Sequence, residues 1–256
     1  MIWWQTIIFG IVEGLTEFLP VSSTGHLILT ARLLGLEQTE FMKSFEIVIQ
    51  LGAILAVLLV YWQSFLVRFE TLKRVVIAFM PTAVIGFVLY KIVKKFFLSS
   101  EPLVLGSLFV GGIILIAFDR WHKETSDQTQ DLNRIPASKC FLVGVIQSLA
   151  VIPGVSRAGA TIVGGLSLGF TRKNIVEFSF LLAVPTILAA TVLDLLKNRE
   201  AFAGADWSML GLGSAVSFVV ALLSIKFFIR YVQKHGFTVF GVYRIFAAGL
   251  FWVFVK

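Results

Sequence analysis

The chain has 256 residues, 57% of them hydrophobic and 14% charged, with a mean hydropathy of +0.90; soluble domains run near 45–50% apolar and about 25% charged. That balance excludes a soluble globular enzyme, a disordered tail and a disulfide-stapled domain, and the lone Cys140 offers neither an internal disulfide nor a metal-type cysteine spacing. The net charge of +7 lies in short basic clusters between long apolar runs, the pattern of loop and headgroup anchors rather than of a nucleic-acid partner.

The chain therefore reads as an all-α integral membrane protein forming one membrane domain over 1–256. Met1-Ile2-Trp3-Trp4-Gln5 has no basic n-region, and no small-residue cleavage pattern follows. Trp3 and Trp4 are expected to anchor at an interface, not to begin a cleaved signal. The first apolar stretch, about 1–36, is interrupted by Glu13-Gly14-Leu15-Thr16-Glu17-Phe18-Leu19-Pro20-Val21-Ser22-Ser23-Thr24-Gly25-His26. Each half is shorter than the roughly 20 residues of a crossing helix. Non-helical backbone at membrane depth survives only when buried in protein or lining a wet cavity. The stretch reads as a re-entrant helical hairpin.

Three crossing helices are expected next, at 41–62, 75–90 and 102–118, then a polar loop at 119–138. A second interrupted stretch, about 139–171, breaks at Gln147-Ser148-Leu149-Ala150-Val151-Ile152-Pro153-Gly154-Val155-Ser156-Arg157-Ala158-Gly159 and reads as a second re-entrant hairpin. Crossings at 173–196, 207–229 and 236–255 complete six. An offset of 134 positions sets Glu13 on Gln147, Ser22 on Ser156 and Gly25 on Gly159. Three crossings between the hairpins invert the second copy relative to the first, so 1–118 and 139–256 read as an inverted-topology repeat. Lysines and arginines divide twelve to eight between the faces. The richer set, including Arg68, Lys73, Arg74, Arg120 and Arg172, is expected in the cytoplasm; the other includes Lys43, Lys94 and Lys197.

Glu13 and Glu17 stand at i and i+4, on one helix face. Two carboxylates so close need a cation or a proton between them, and each costs about 2.5–3.5 kcal/mol at membrane depth. They point to a divalent-cation site or to an acid/base pair beside an oxyanion. Ser22, Ser23 and Thr24 precede an apolar run; hydroxyls there cap a helix and line an anion site at its start. His26, three residues past Ser23, is expected to activate it or to protonate a leaving group. Arg157 supplies a guanidinium fork that matches phosphate oxygens, with Gly154, Ser156 and Gly159 allowing close backbone approach. Glu46 and Gln50 are expected to face inward behind the site. Arg244 either pairs with an acid or snorkels. Glu177 and Asp194 are expected near interfaces, and Asp119-Arg120 with His122-Lys123 at a helix end and solvated loop.

The two interruptions resemble the signature motifs of the undecaprenyl-diphosphate phosphatase family, the bacitracin-resistance proteins. Phe45-Glu46-Ile47-Val48-Ile49-Gln50-Leu51-Gly52 and Glu177-Phe178-Ser179-Phe180-Leu181-Leu182 are similar to further family segments. Ala158 departs from the commoner serine at its position. The resemblance implies a bacterial plasma (inner) membrane hydrolase that takes the terminal phosphate from a C55 polyprenyl diphosphate, recycling a lipid carrier for the cell wall. It also implies six crossings with two re-entrant regions, and a divalent cation such as Mg²⁺ or Ca²⁺, for which Glu13 and Glu17 are the expected ligands. Glu17, Ser23, His26 and Arg157 are the expected catalytic residues. Ser22, Thr24, Gly154, Ser156 and Arg157 are expected to bind substrate. Ser23 or a water makes the attack. A homodimer is one option for assembly. The rival reading is a secondary transporter or lipid flippase, because broken helices in inverted repeats are transporter architecture.

Overall fold

The computed structural model describes residues 1–97, 100–122, 132–198, 200 and 207–254. Lys123, Arg199, Lys256 and residues 123–131 of the expected loop 119–138 lie outside the described residues. The regular elements are helices. The first two are α1 (Trp3–Thr16) and α2 (Ser23–Leu33). Gln5 starts α1, its side-chain oxygen accepting from the Ile2 N–H at 2.9 Å. The chain leaves the helical path between Glu17 and Ser22, where Pro20 withholds a donor. Ser22 holds φ at 72° and caps α2 by accepting from the Gly25 N–H.

Next come α3 (Glu40–Val48) and α4 (Gln50–Val60), a single crossing of 21 residues with a hitch at Ile49, then the short α5 (Trp62–Leu66). α6 (Phe69–Ile92) runs on through a wider π turn, Val93–Phe97, and is followed by α7 (Glu101–Trp121). The expected crossing at 75–90 starts too late. The helix begins at Phe69 because the charges that interrupt its hydropathy are satisfied locally, Arg74 bonding Glu70 Oε2 at 2.7 Å and the Ile135 carbonyl at 2.7 Å.

The second half opens with α8 (Ala137–Gln147), a 3₁₀ turn over Ser148–Val151, and α9 (Arg157–Ser167). Ser156 repeats the behaviour of Ser22: φ is 77°, and its hydroxyl accepts from the Gly159 N–H at 3.1 Å. α10 (Arg172–Lys197), α11 (Trp207–Val232) and α12 (Thr238–Phe254) complete the order. Among the described residues five helices are long and apolar enough to cross a membrane, as in a multi-pass membrane protein. The sixth expected crossing, α12, has 17 residues and rises about 25 Å against a hydrocarbon core of about 30 Å.

Each hairpin packs on a long helix from the other half of the chain, α1 on α11 and α8 on α6, while α7 lies along α12. The contacts are close because small residues face them, as membrane helices without a hydrophobic drive between them require. A Cβ at Gly14 would come within 2.6 Å of the Ser217 carbonyl, and one at Gly144 would meet the Ala78 carbonyl. Buried phenylalanines fill the centre, Phe18 packing edge-on against Phe180 and Phe228 against Phe240. Outward faces are apolar instead of charged, with Phe87, Val88, Leu223 and Phe246 exposed.

Candidate active site

Both breaks open on a cavity of about 590 Å³ lined at one end by Glu17, Ser22, Ser23, Thr24, Ser156 and Arg157. Ser23 and Arg157 occupy equivalent places, the first turn of the helix that follows each break. The chain returns to the helical path there, so both side chains start where backbone N–H groups have no intrahelical partner. Arg157 reaches across to the first hairpin: Nη2 donates to Glu17 Oε1 at 2.7 Å, while Nη1 donates to the Ser179 carbonyl at 2.8 Å. The other Glu17 oxygen, Oε2, accepts the Ser23 hydroxyl. Glu17 therefore stands between a guanidinium and a serine, and all three are buried or nearly so.

Two groups at this junction are left without partners. Neither Glu13 carboxylate oxygen meets a hydrogen-bond donor, although the residue is fully buried. The charges acting on it are Glu17, Arg157 and Glu46. The Arg157 Nε is buried and unpartnered too. A buried carboxyl and a buried N–H without partners are costly in a low-dielectric interior. Among the described residues no cluster of three or more His, Cys, Asp or Glu side chains could hold a metal by itself. A cation here would have to complete its shell with substrate oxygens, as Mg²⁺ commonly does with one or two carboxylates plus phosphate.

His26 departs from expectation. Its Nδ1 donates to the Ser22 carbonyl at 2.8 Å, and its Nε2 meets the Tyr243 hydroxyl at 2.8 Å, with the two rings stacked. A carbonyl only accepts, which puts the proton on Nδ1 and leaves Nε2 to Tyr243. The expected Ser23–His26 contact is not formed, and Glu17 takes that place on the serine. Both ring nitrogens are taken, by the Ser22 carbonyl and the Tyr243 hydroxyl, while the Ser23 hydroxyl is taken by Glu17. Ser22 and Ser156 both cap helices with their hydroxyl lone pairs, leaving their O–H free in direction toward the cavity they line. Thr24 and Gly154 line it as well.

Further along the cavity stand Glu46, Gln50, Lys43, Lys94 and Tyr90. Glu46 is buried and accepts from Gln38 at 2.9 Å, in keeping with its inward-facing expectation. Asp194, expected near an interface, is completely buried; it accepts from Lys94 at 2.6 Å, Tyr90 at 2.8 Å and Asn198 at 2.8 Å. Lys43 and Lys94 are buried also, so two of the bases counted as outer anchors serve the interior. Asp119 forms no idle helix end, since its Oδ2 caps α12 through the Thr238 N–H at 3.1 Å. Arg244 neither snorkels nor pairs with an acid: its five partners are backbone carbonyls. Sequence reasoning gave no role to Ser179, although it stands in the Glu177–Leu182 segment, and missed Tyr243, which carries no motif.

Comparison with known proteins places the chain in a family. Residues 6–250 match the family described as bacitracin resistance protein BacA. A protein of Persephonella marina named undecaprenyl-diphosphatase is 52% identical, with 98% of each chain covered. Proteins of the same name from Sulfurihydrogenibium sp. and Aquifex aeolicus are 50% and 49% identical, over 97% and 94% of this chain and 98% and 94% of theirs. With a match spanning nearly its whole length and relatives at this identity, the chain belongs to the BacA family of bacitracin resistance proteins.

Proposed function

We propose that this protein is an undecaprenyl-diphosphatase of the bacterial inner membrane, releasing inorganic phosphate from undecaprenyl diphosphate and returning the monophosphate carrier to cell-wall synthesis. The relatives' shared name and coverage support the reaction. The observation that carries the site is the Arg157–Glu17–Ser23 chain, which joins residues from two separate breaks at one end of a membrane-embedded cavity.

The chemistry follows from that chain. The terminal phosphoryl group sits against Arg157, whose free Nε is the waiting donor, with the Ser22, Thr24 and Ser156 hydroxyls around it. Ser23 Oγ attacks phosphorus as Glu17 takes its proton. The Oγ–P bond forms, the bond to the bridging oxygen breaks, and the prenyl monophosphate leaves with the electron pair. A water then displaces the serine, releasing inorganic phosphate and restoring the hydroxyl. Arg157 couples the steps: moving from Glu17 to the phosphate frees Glu17 to act as a base. Phosphoryl transfer asks a protein mainly for positioning and charge stabilisation, and this site offers both. Glu13, with Glu17, would hold a divalent cation; when bound, the cation neutralises phosphate charge. His26 holds the Ser22 carbonyl and so steadies the turn that presents Ser23. The apolar stretch of cavity wall around Phe79, Phe87 and Leu193 suits the first isoprene units.

The chain is read as six crossings and two re-entrant hairpins in an inverted repeat, with the lysine- and arginine-rich face in the cytoplasm. The recurrence of a positive-φ serine cap at Ser22 and Ser156, and the exchange of partners between α1–α11 and α8–α6, support it. All the site residues come from one copy, so the reaction needs no homodimer. The test is phosphate release from C15 and C55 prenyl diphosphates by purified protein, with and without chelator. Labelled phosphate trapped on Ser23 supports serine attack, and its persistent absence favours direct attack by water.

A further inference from the structure

Arg244 is among the largest fully buried side chains, at 1% exposure on α12. A guanidinium has five N–H donors, and here each has one backbone carbonyl. Nε donates to Leu108 at 3.2 Å; Nη1 donates to Pro20 at 3.1 Å and Val155 at 3.0 Å; Nη2 donates to Ser107 at 3.0 Å and Gly154 at 2.7 Å. Pro20 lies in the first break, three residues before Ser23. Gly154 and Val155 lie in the second, immediately ahead of the Ser156 cap and Arg157. Ser107 and Leu108 lie on α7. One side chain thus holds both interruptions against the same outer helix.

We propose that Arg244 is a positioning residue for the phosphatase reaction: it sets the spacing of the two breaks, and through it the placing of Glu17 and Ser23 opposite Arg157. The inference rests on the site proposed above and adds a residue that does not touch substrate. Three features support it. Three of the carbonyls it gathers, those of Pro20, Gly154 and Val155, belong to segments without regular helical bonding, and it ties them to the regular helix α7 through Ser107 and Leu108. A trans peptide sets C=O and N–H on opposite sides, and drawing the Val155 carbonyl to Arg244 turns the Ser156 N–H away from the arginine. Three carbonyl dipoles that would repel a phosphate are thereby held on a cation. Finally, α7 is shaped for this side chain: a Cβ on Gly111 would collide with Nη2 and lie 2.7 Å from Cζ. Lysine offers only three donors in no fixed plane, and cannot replace the fork.

The experiment uses the full chain purified in detergent. Arg244→Lys, Arg244→Gln and Gly111→Ala are each made alone and combined with Arg157→Ala. Release of phosphate from farnesyl diphosphate gives kcat and KM per folded enzyme, the folded fraction being read from thermal unfolding. The proposal predicts that Arg244→Gln lowers kcat about 100-fold, the usual cost of a misplacement near 1 Å. KM stays within about threefold, since the prenyl chain supplies ground-state binding. Arg244→Lys falls between, and Gly111→Ala lowers kcat in the same direction with the arginine still present. Each combination with Arg157→Ala loses far less than the product of the single losses, because a displaced clamp has little left to lose. Unchanged kcat per folded enzyme, or losses that multiply fully, would overturn the proposal. If Arg244→Gln does not fold, Gly111→Ala and Arg244→Lys decide on the same criteria. Full activity in Arg157→Ala alone would instead overturn the site reading beneath it.

Discussion

The two broken hairpins share a backbone and divide the chemistry. Each leaves its first helix at a proline-containing turn, holds a serine at positive φ, caps the next helix with it, and sends out a functional side chain one residue later. Their interiors differ. Gln147, at the place of Glu13, is fully used: its carbonyl accepts from Thr161 at 3.0 Å and its amide donates to Thr82 at 2.9 Å. Glu13 has no donor on either oxygen. One hairpin has settled into a closed hydrogen-bond network around a neutral amide, while the other keeps an acid in waiting. The difference teaches that the fold tolerates the break by itself: the second hairpin satisfies its buried polar group, and the first leaves a buried carboxyl without a donor.

Substitutions can break or sharpen this contrast. The largest effect is expected for Arg157→Ala, which removes the second hairpin's contribution to the site; kcat/KM for prenyl diphosphate should fall by about 10³-fold, at the upper range for one lost electrostatic clamp. Glu13→Gln makes the first hairpin chemically like the second. It should cost about 100-fold in kcat at fixed cation, weaken the dependence of rate on added Mg²⁺, and leave or raise thermal stability, since the crowding of two buried carboxyls is relieved. The reciprocal change, Gln147→Glu, should act on folding: lost amide donors and a new buried carboxyl cost about 1–3 kcal/mol, read as a lowered unfolding temperature with the rate per folded enzyme little changed. Tyr243→Phe removes one hydrogen bond to His26, worth about 0.5–1.5 kcal/mol, and should lower kcat only a few-fold. A Tyr243→Phe loss as large as that of Arg157→Ala would move His26 from support into the reaction itself.

The breaks were legible in the sequence because acids are expensive at membrane depth and proline withholds a helix donor, and their pattern recurs at a fixed offset. Glu17 and Arg157, expected to share a pocket, meet at 2.7 Å. What escaped depended on partners far along the chain. Lys94 and Asp194 each look like interface charges, and only folding brings them to 2.6 Å. Arg244 was unreadable because carbonyl partners have no residue signature. His26 escaped in the same way: a spacing of three from Ser23 suggested contact, while the distant Tyr243 and the Ser22 carbonyl take its two ring nitrogens and Glu17 takes the serine. The early start of α6 was hidden by charges that the structure pairs locally.

The most direct test of the shared site is a double-mutant cycle on Glu17 and Arg157, measuring phosphate release by Glu17→Gln, Arg157→Gln and the pair in folded, purified protein. If the hairpins form one catalytic unit, the paired variant should be scarcely slower than the worse single variant. Losses that multiply in full would mean that the two residues act independently, and would contradict the account.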